Sequence, residues 1–396
     1  MRIEQIKALK ILNSRAQATI AIKVNGSWCS APSGASKGKY EVTAFPNGVD
    51  FSVEYVNKNF EKLLKNSYFS NFEDLAEIEK KLDVKKVGGN TIIALEYALL
   101  SALAKEENKP LWQVLNPKAK SFPLILSNVL GGGAHGALGR GLDIQEILVC
   151  AKTKKFADCA FINAALHQEL KKDLLKKDKN FVGGKTDEGA WTTSLTDLEA
   201  LELVNKVRAE LEKKHRAKIW LGVDLAASQL YRDRKYTWHN YSKRKKRLVL
   251  SAGEQKKLVL DLIQKFDLKY VEDPLQEEDF SGFSQLTGKV GRKVAVCGDD
   301  LTVTNFERLK TAIESGSINA IIIKPNQIGS LVQTKAVVDL AEKNGIIPVI
   351  SHRSGSTCDT TLVHLAKAWQ APFIKIGIAG GERTTKINEL IKIEGS

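Results

Sequence analysis

A unit that recurs through the second half of the chain constrains the fold most. Short apolar runs rich in β-branched residues each end in a polar residue, then give way to a loop and a helix-like segment. The runs are Ile219 to Val223, Lys269 to Val271, Val294 to Val296, Ala320 to Ile323, Ile346 to Ile350 and Phe373 to Ile374. Ser251/Glu254 and Thr304/Glu307 have capping-box spacing, in which each side chain satisfies a free backbone N–H of the other's turn. The second of these helices is expected to stop at Gly316, and another to run from Ser330 to a C-terminal cap at Asn344-Gly345. Strand and helix in alternation predict a parallel sheet with right-handed crossovers.

The residues just beyond these runs carry the chemistry. They are Asp224, Glu272, Asp299, Lys324, His352 and Lys375, separated by 48, 27, 25, 28 and 23 residues, and most of these gaps are one βα unit long. In a (β/α)8 barrel the C-terminal strand ends converge on one mouth, so these groups are expected to meet in space. Polar residues end strands in many proteins. Three carboxylates, two lysines and a histidine gathered together are costly without a bound cation and an anionic ligand. Asp224, Glu272 and Asp299 offer hard oxygen ligands with no sulfur, which suits Mg²⁺ and not zinc. Lys324, facing a dication and Lys375, is expected to have its pKa lowered toward that of a base.

The rest of the chain has a different texture. Residues 1–43 read as strands, Ile3 to Leu12 and Ala18 to Val24, with a hairpin turn at Asn25-Gly26 and a return through Trp28 to Ala31. From Val53 to Leu115 the pattern is helical, and Thr91 to Lys105 is apolar on so many faces that it must be buried. The polar, proline-bearing stretch Asn116 to Ser121 marks the expected boundary between an α+β domain, residues 1–118, and a barrel domain, residues 119–396.

Composition excludes several classes. At 396 residues and 43% hydrophobic content, the chain can bury a large core. The formal charge of +14 raises nucleic acid, acidic lipid or a phosphorylated substrate as partners. No nucleic-acid fold signature accompanies it, and the run Lys243 to Arg247 reads as a solvated loop, so neither a nucleic-acid nor a membrane partner is expected. No stretch approaches the ~20 apolar residues of a membrane span, and the N-terminus lacks a signal-peptide core. Five cysteines without a C-x-x-C pair fit a reduced cytoplasm.

Two segments ahead of the repeat add acids. Gln145-Glu146 follows a loop with six glycines between Gly131 and Gly141 that includes His135, and Asp187-Glu188-Gly189 follows a lysine-rich helix. Ser33 to Lys39 looks like a phosphate loop, but only three residues separate its glycines and Tyr40 follows the last lysine, so it is not a nucleotide loop. A lid is expected there.

Together these segments resemble the enolase family over essentially the whole chain. The motifs are Ile11 to Arg15, Ser33-Gly34-Ala35-Ser36, Gln145-Glu146, Asp187-Glu188-Gly189, Asp224 to Ser228, Glu272-Asp273-Pro274, Gly298 to Asn305, Lys324 to Gly329 and Ser351 to Gly355. The resemblance implies an α/β fold, an enolase-type (β/α)8 barrel preceded by a smaller α+β domain. It also implies reversible dehydration of 2-phosphoglycerate to phosphoenolpyruvate. In that scheme Asp224, Glu272 and Asp299 hold Mg²⁺, Lys324 removes the C2 proton, and Lys375 stabilises the charge that develops, as in the enolase-superfamily Lys or His base with Mg²⁺. Glu188, assisted by Glu146, protonates the departing hydroxyl. Arg353, Ser354 and Ser36 take the phosphate, Ser36 also joins a second Mg²⁺, and His135, Gln145 and His352 complete the pocket. A homodimer or higher homo-oligomer is implied as well.

The departures from the family pattern are Asn13 for Asp, Lys37 for Thr, Tyr40 for His and a longer loop around His135. Ala190-Trp191 is expected to bring a bulkier ring near Glu188, Ile376 replaces a Thr, and Ile378 to Arg383 is altered near the implied subunit contact. Two other readings stay open: an acid-sugar dehydratase of the same superfamily, and an enolase-like binding protein without turnover. His364 is expected to pack, His167, His215 and His239 to lie at the surface, and Cys297 to be a small core residue.

Overall fold

Asn25 and Gly26 both adopt positive φ, 44° and 92°, the twist that a two-residue hairpin turn requires. They join β2 (Ala18–Val24) to β3 (Ser27–Ser30), and β2 pairs antiparallel with β3 and with β1 (Ile6–Leu12). Ile20, Ile22 and Val24 turn fully buried side chains toward the helix Gly89–Glu106, which lies against this sheet and is buried over fifteen of its eighteen residues. The computed structural model describes all residues except 35–37, 136–140 and 246, and the side chain of His135.

Eight strands then close a barrel: β4 (Leu124–Gly131), β5 (Glu146–Ala151), β6 (Ile219–Asp224) and five more. Between them, β7 (Tyr231–Arg232), β8 (Lys235–Trp238) and β9 (Leu248–Leu250) form a small outer sheet. Of the basic run 243–247, residues 243–245 and 247 lie in its β8–β9 connection, as a loop reading expects, and Lys246 lies outside the described residues. The remaining barrel strands are β10 (Leu268–Glu272), β11 (Ala295–Gly298), β12 (Ala320–Ile323), β13 (Ile347–Ser351) and β14 (Phe373–Lys375), the last pairing with β4. Among the described residues no helix is long and apolar enough to cross a membrane.

Two local expectations are corrected. The sheet is not wholly parallel, because β5 runs antiparallel to both β4 and β6. Among the described residues no α-helix lies between β4 and β5, and an antiparallel pair needs no crossover helix. Thr304 is not a helix cap: Asn305 caps Phe306–Glu314 by accepting from the N–H groups of Glu307 and Arg308. The Thr304 hydroxyl turns inward instead, donating to Gln327 Oε1 at 2.7 Å and accepting from the Lys324 N–H at 2.9 Å. Ser251 with Glu254 does form the reciprocal box, as does the unforeseen pair Thr196 and Glu199.

The small sheet and its helix meet the barrel at a glycine pair. A Cβ on Gly329, φ 74°, would lie 2.6 Å from the Gly89 Cα, so only glycine lets the loop after β12 touch the start of the long helix. Beside it Asn326 Nδ2 donates to Asn90 Oδ1 and to the Pro32 carbonyl, each at 3.1 Å.

Asn163 bolts the helix Phe156–Lys177 to the barrel. Its amide accepts the Ala151 N–H at 3.0 Å and donates to the Ile125 carbonyl and Ser127 Oγ at 3.0 Å. Asn163→Leu strands these buried groups at about 1–3 kcal/mol. Thermal unfolding should show a lower midpoint with unchanged far-ultraviolet circular dichroism, and an unchanged midpoint would refute the role.

Candidate active site

Antiparallel β5 starts where its parallel neighbours end, so Glu146 sits at the barrel mouth, in register with Asp224, which is in turn in register with Glu272. Lys375, the last residue of β14, reaches into this group. Its ammonium lies 3.1 Å from Asp224 Oδ2, 2.9 Å from both Glu272 oxygens and 3.2 Å from Glu146 Oε1. Burial opposes its charge, but Asp224, Glu146, Glu272 and Glu188 hold its pKa well above the usual lysine range. Burial first and the Asp224 charge second push Glu272 up to about 8, and burial with the Glu188 charge raises Glu146.

The second lysine has its own partner. Lys324 Nζ donates to Asp299 Oδ2, while Gln327 Nε2 donates to Asp299 Oδ1 at 3.2 Å. Against the expectation of a lowered pKa, Lys324 is raised: burial, Arg353 and Lys375 press it down, and the Asp299 carboxylate outweighs them. Asp224 accepts from Gln145 Nε2 at 3.1 Å and from the Ala226 N–H at 3.0 Å.

The three carboxylates expected to bind metal thus share one mouth and offer only oxygen, and two ammonium groups offset only part of their charge. That donor chemistry fits a hard divalent cation. Asp273, Asp299 and Asp300 also bring carboxylate oxygens within 4.8 Å of one another. Asp273 serves the fold, however, since its two oxygens accept the N–H groups of Asp299 at 3.0 Å and Asp300 at 2.7 Å.

On the other side of the mouth, His352 Nε2 is 3.0 Å from Glu188 Oε1, and Asn128 Nδ2 donates to Glu188 Oε2 at 3.4 Å. Burial pushes His352 down to about 3 despite Glu188, so the imidazole is neutral at physiological pH. Arg353 Nη2 bridges both oxygens of Glu41, at 3.1 and 3.0 Å, and Nη1 donates to Asn326 Oδ1 at 3.1 Å. Ser354 is buried beside it. Ser36 and the His135 side chain lie outside the described residues.

Sequence reasoning missed Glu41, Asn128, Tyr270 and Arg383. Tyr270 Oη donates to Glu272 Oε2 at 2.7 Å. Arg383, fully buried, donates to the carbonyls of Asp187 at 3.1 Å, Arg353 at 3.0 Å and Ser354 at 2.6 Å, tying together the two segments that carry Glu188 and His352. None of these residues stands at a regular strand-end interval, and Arg383 lies in the altered C-terminal segment, so spacing gave no signal.

Asn13 and Trp191 are accommodated, while Lys37 lies outside the described residues. Asn13 accepts from the Arg15 N–H at 2.8 Å and donates to Ser33 Oγ at 2.6 Å. Trp191 does not crowd Glu188: it stacks on His167, ring centroids 4.5 Å apart, and its Nε1 donates to the His167 carbonyl at 2.8 Å. His167 is consequently buried, contrary to the surface expectation, with Nε2 2.9 Å from the Gly189 carbonyl. His215 and His239 are exposed, while His364 and Cys297 are buried, as expected.

Burial lowers His167 from 6.5 to about 4. A folded-state pKa below the unfolded one means that protons favour unfolding, so this contribution is complete above about pH 6.5 and lost as pH falls toward 4. Urea unfolding between pH 4 and 7 should show a shallower loss of stability for His167→Gln than for the parent; equal slopes would contradict the assignment.

Comparison with known proteins agrees with this geometry. The enolase N-terminal domain model matches residues 3–115 and the enolase C-terminal TIM barrel domain model matches residues 119–396. The chain is 41% identical to the enolase of Methanothermobacter thermautotrophicus, with 99% of this chain and 96% of that protein covered. It is 39% identical to the enolase of Natronomonas pharaonis, with coverage of 100% and 99%, and 40% identical to that of Methanosphaera stadtmanae, with coverage of 99% and 96%. The chain belongs to the enolase family, glycolytic lyases that work with a divalent metal cofactor.

Proposed function

We propose that the barrel mouth dehydrates 2-phosphoglycerate reversibly to phosphoenolpyruvate, with Lys324 as the base at C2 and Glu188 as the acid at the departing 3-hydroxyl. The observation that carries this reading is the arrangement of Lys375 and Lys324 against Asp224, Glu272 and Asp299 at one strand-end layer. In it, Asp224, Glu272 and Asp299 would hold Mg²⁺ and Ser36 would join a second. When bound, Mg²⁺ offsets the negative charge that grows on the substrate carboxylate as the C2 proton leaves.

The chain's own groups account for the remaining requirements. Asp299 holds the Lys324 proton, while burial, Arg353 and Lys375 press the amine toward the neutral form, so engaging Asp299 elsewhere prepares a base. Lys375 stands fixed and charged, a preorganised partner for charge developing on the substrate. The acid must carry a proton at neutral pH. Burial and the Glu188 charge favour the protonated form of Glu146, which supports a carboxyl pair able to hold one, and neutral His352 orients Glu188 without competing for that proton. Arg353 and Ser354 bind the phosphate together with Ser36, and Gln145 and His135 complete the pocket.

We place the lid domain at residues 1–118, the barrel domain at 119–396 and the protein in the cytoplasm. A homodimer is supported by the apolar side chains that the small sheet leaves exposed, Leu9, Leu12 and Trp28. The acid-sugar and inactive-scaffold readings are not favoured, given full-length relatives named enolase at about 40% identity and retention of both lysines and all three carboxylates.

In an assay following phosphoenolpyruvate absorbance, Lys324→Ala and Glu188→Gln should each lower kcat about 10²–10⁴-fold. Parent-like turnover in both would overturn the assignment. Chelation should abolish activity and Mg²⁺ should restore it; full activity in excess chelator would remove the metal from the account.

A further inference from the structure

Side chains alternate along each barrel strand, so the face that carries the mouth residues also lines the opposite end of the barrel. Below Asp224 on β6 come Gly222 and Trp220, below Glu272 on β10 comes Tyr270, and below Lys375 on β14 comes Phe373. This foot is not filled. A cavity of about 340 Å³ opens there, walled by Leu126, Trp220, Tyr270, Ala295, Ile347 and Phe373. Trp220, Ala295, Ile347 and Phe373 all stay partly exposed.

The rim is cationic. Lys152 Nζ stands 4.0 Å over the Trp220 ring and 5.7 Å from that of Phe373, whose centroid is 5.9 Å from that of Trp220. Lys269, Arg292 and Lys293 line the opening, and no acidic side chain is among its described lining residues. Lys269 is paired with Asp267 at 2.6 Å, whereas Arg292 and Lys293 are exposed and make no ion pair among the described residues.

An apolar compound would cover the rings and leave the cations without a counter-charge, and an inorganic anion would do the reverse. A planar ring bearing a phosphate satisfies both. The volume is at the low end of ligand cavities, about 300–1,000 Å³, which suits a single ring system. We infer that the barrel foot is a binding site for a small aromatic phosphate, its ring against Trp220 and Phe373 and its charge between Lys152, Arg292 and Lys293. Tyr270 forms part of the wall and donates to Glu272, so an occupant lies one side chain from the mouth carboxylates. The inference does not rest on the reaction proposed above.

Isothermal titration of the full chain with adenosine 5′-monophosphate, phenyl phosphate and inorganic phosphate, in the presence of Mg²⁺ and saturating phosphoenolpyruvate, tests it. One ring-bearing ligand should bind once per chain, and the tighter of the two identifies the ring as a nucleobase or a simple aryl group. R292E/K293E, which changes exposed side chains only, should weaken binding at least about tenfold through charge reversal. Trp220→Leu should weaken it about tenfold through lost stacking, with turnover retained in both variants as evidence of folding. No binding, inorganic phosphate binding as tightly as either ring compound, or binding unchanged in both variants would overturn the proposal.

Discussion

The buried ammonium of Lys375 among three carboxylates is the interaction on which the rest of the site depends. Asp224, Glu272 and Glu146 sit at one level of the barrel because their strands pair in register, and Lys375 reaches that level from across the barrel. Carboxylates this close and this buried repel one another strongly, and removing one member of such a cluster typically costs more than the intact cluster contributes. The arrangement is a scaffold tuned for a cation and an anionic substrate, with stability sacrificed at the mouth and recovered in the apolar layers of the barrel.

The two domains meet beside Arg353. Gly89 and Gly329 bring the long helix against the loop after Lys324, and Asn90, Asn326 and Arg353 form a chain of hydrogen bonds across that contact. Glu41, just beyond the lid segment, engages Arg353 and also accepts from Gln327 Nε2 at 3.4 Å. Gln327 in turn holds Asp299. The Arg353 guanidinium and the Asp299 carboxylate are thus joined through the side chains of Glu41 and Gln327. Arg383 braces the opposite wall from the C-terminal helix.

Much of this was legible in the sequence because it depends on local periodicity. Strand-end residues separated by one βα unit gave the mouth, and Asn25-Gly26 gave the hairpin. Features set by tertiary contact were not legible. The reversal of β5 is a matter of strand direction, which no periodicity encodes. Thr304 and Asn305 are both good caps, and only the pull of Gln327 and Lys324 on the Thr304 hydroxyl decides between them. Trp191 read as an obstruction because its neighbour in sequence is near Glu188, whereas its stacking partner lies on a helix more than twenty residues earlier. Lys324 read as a lowered amine because its ion pair with Asp299 cannot be weighed without coordinates.

The central claim is that Lys324 takes the C2 proton and Glu188 acts at the other carbon, as separate groups on opposite sides of the mouth. Exchange of the C2 hydrogen of 2-phosphoglycerate in deuterated water, followed by proton NMR with Mg²⁺ present, addresses it most directly. Glu188→Gln should retain exchange while losing formation of phosphoenolpyruvate, and Lys324→Ala should lose both. Exchange that persists at the parent rate in Lys324→Ala would contradict the account.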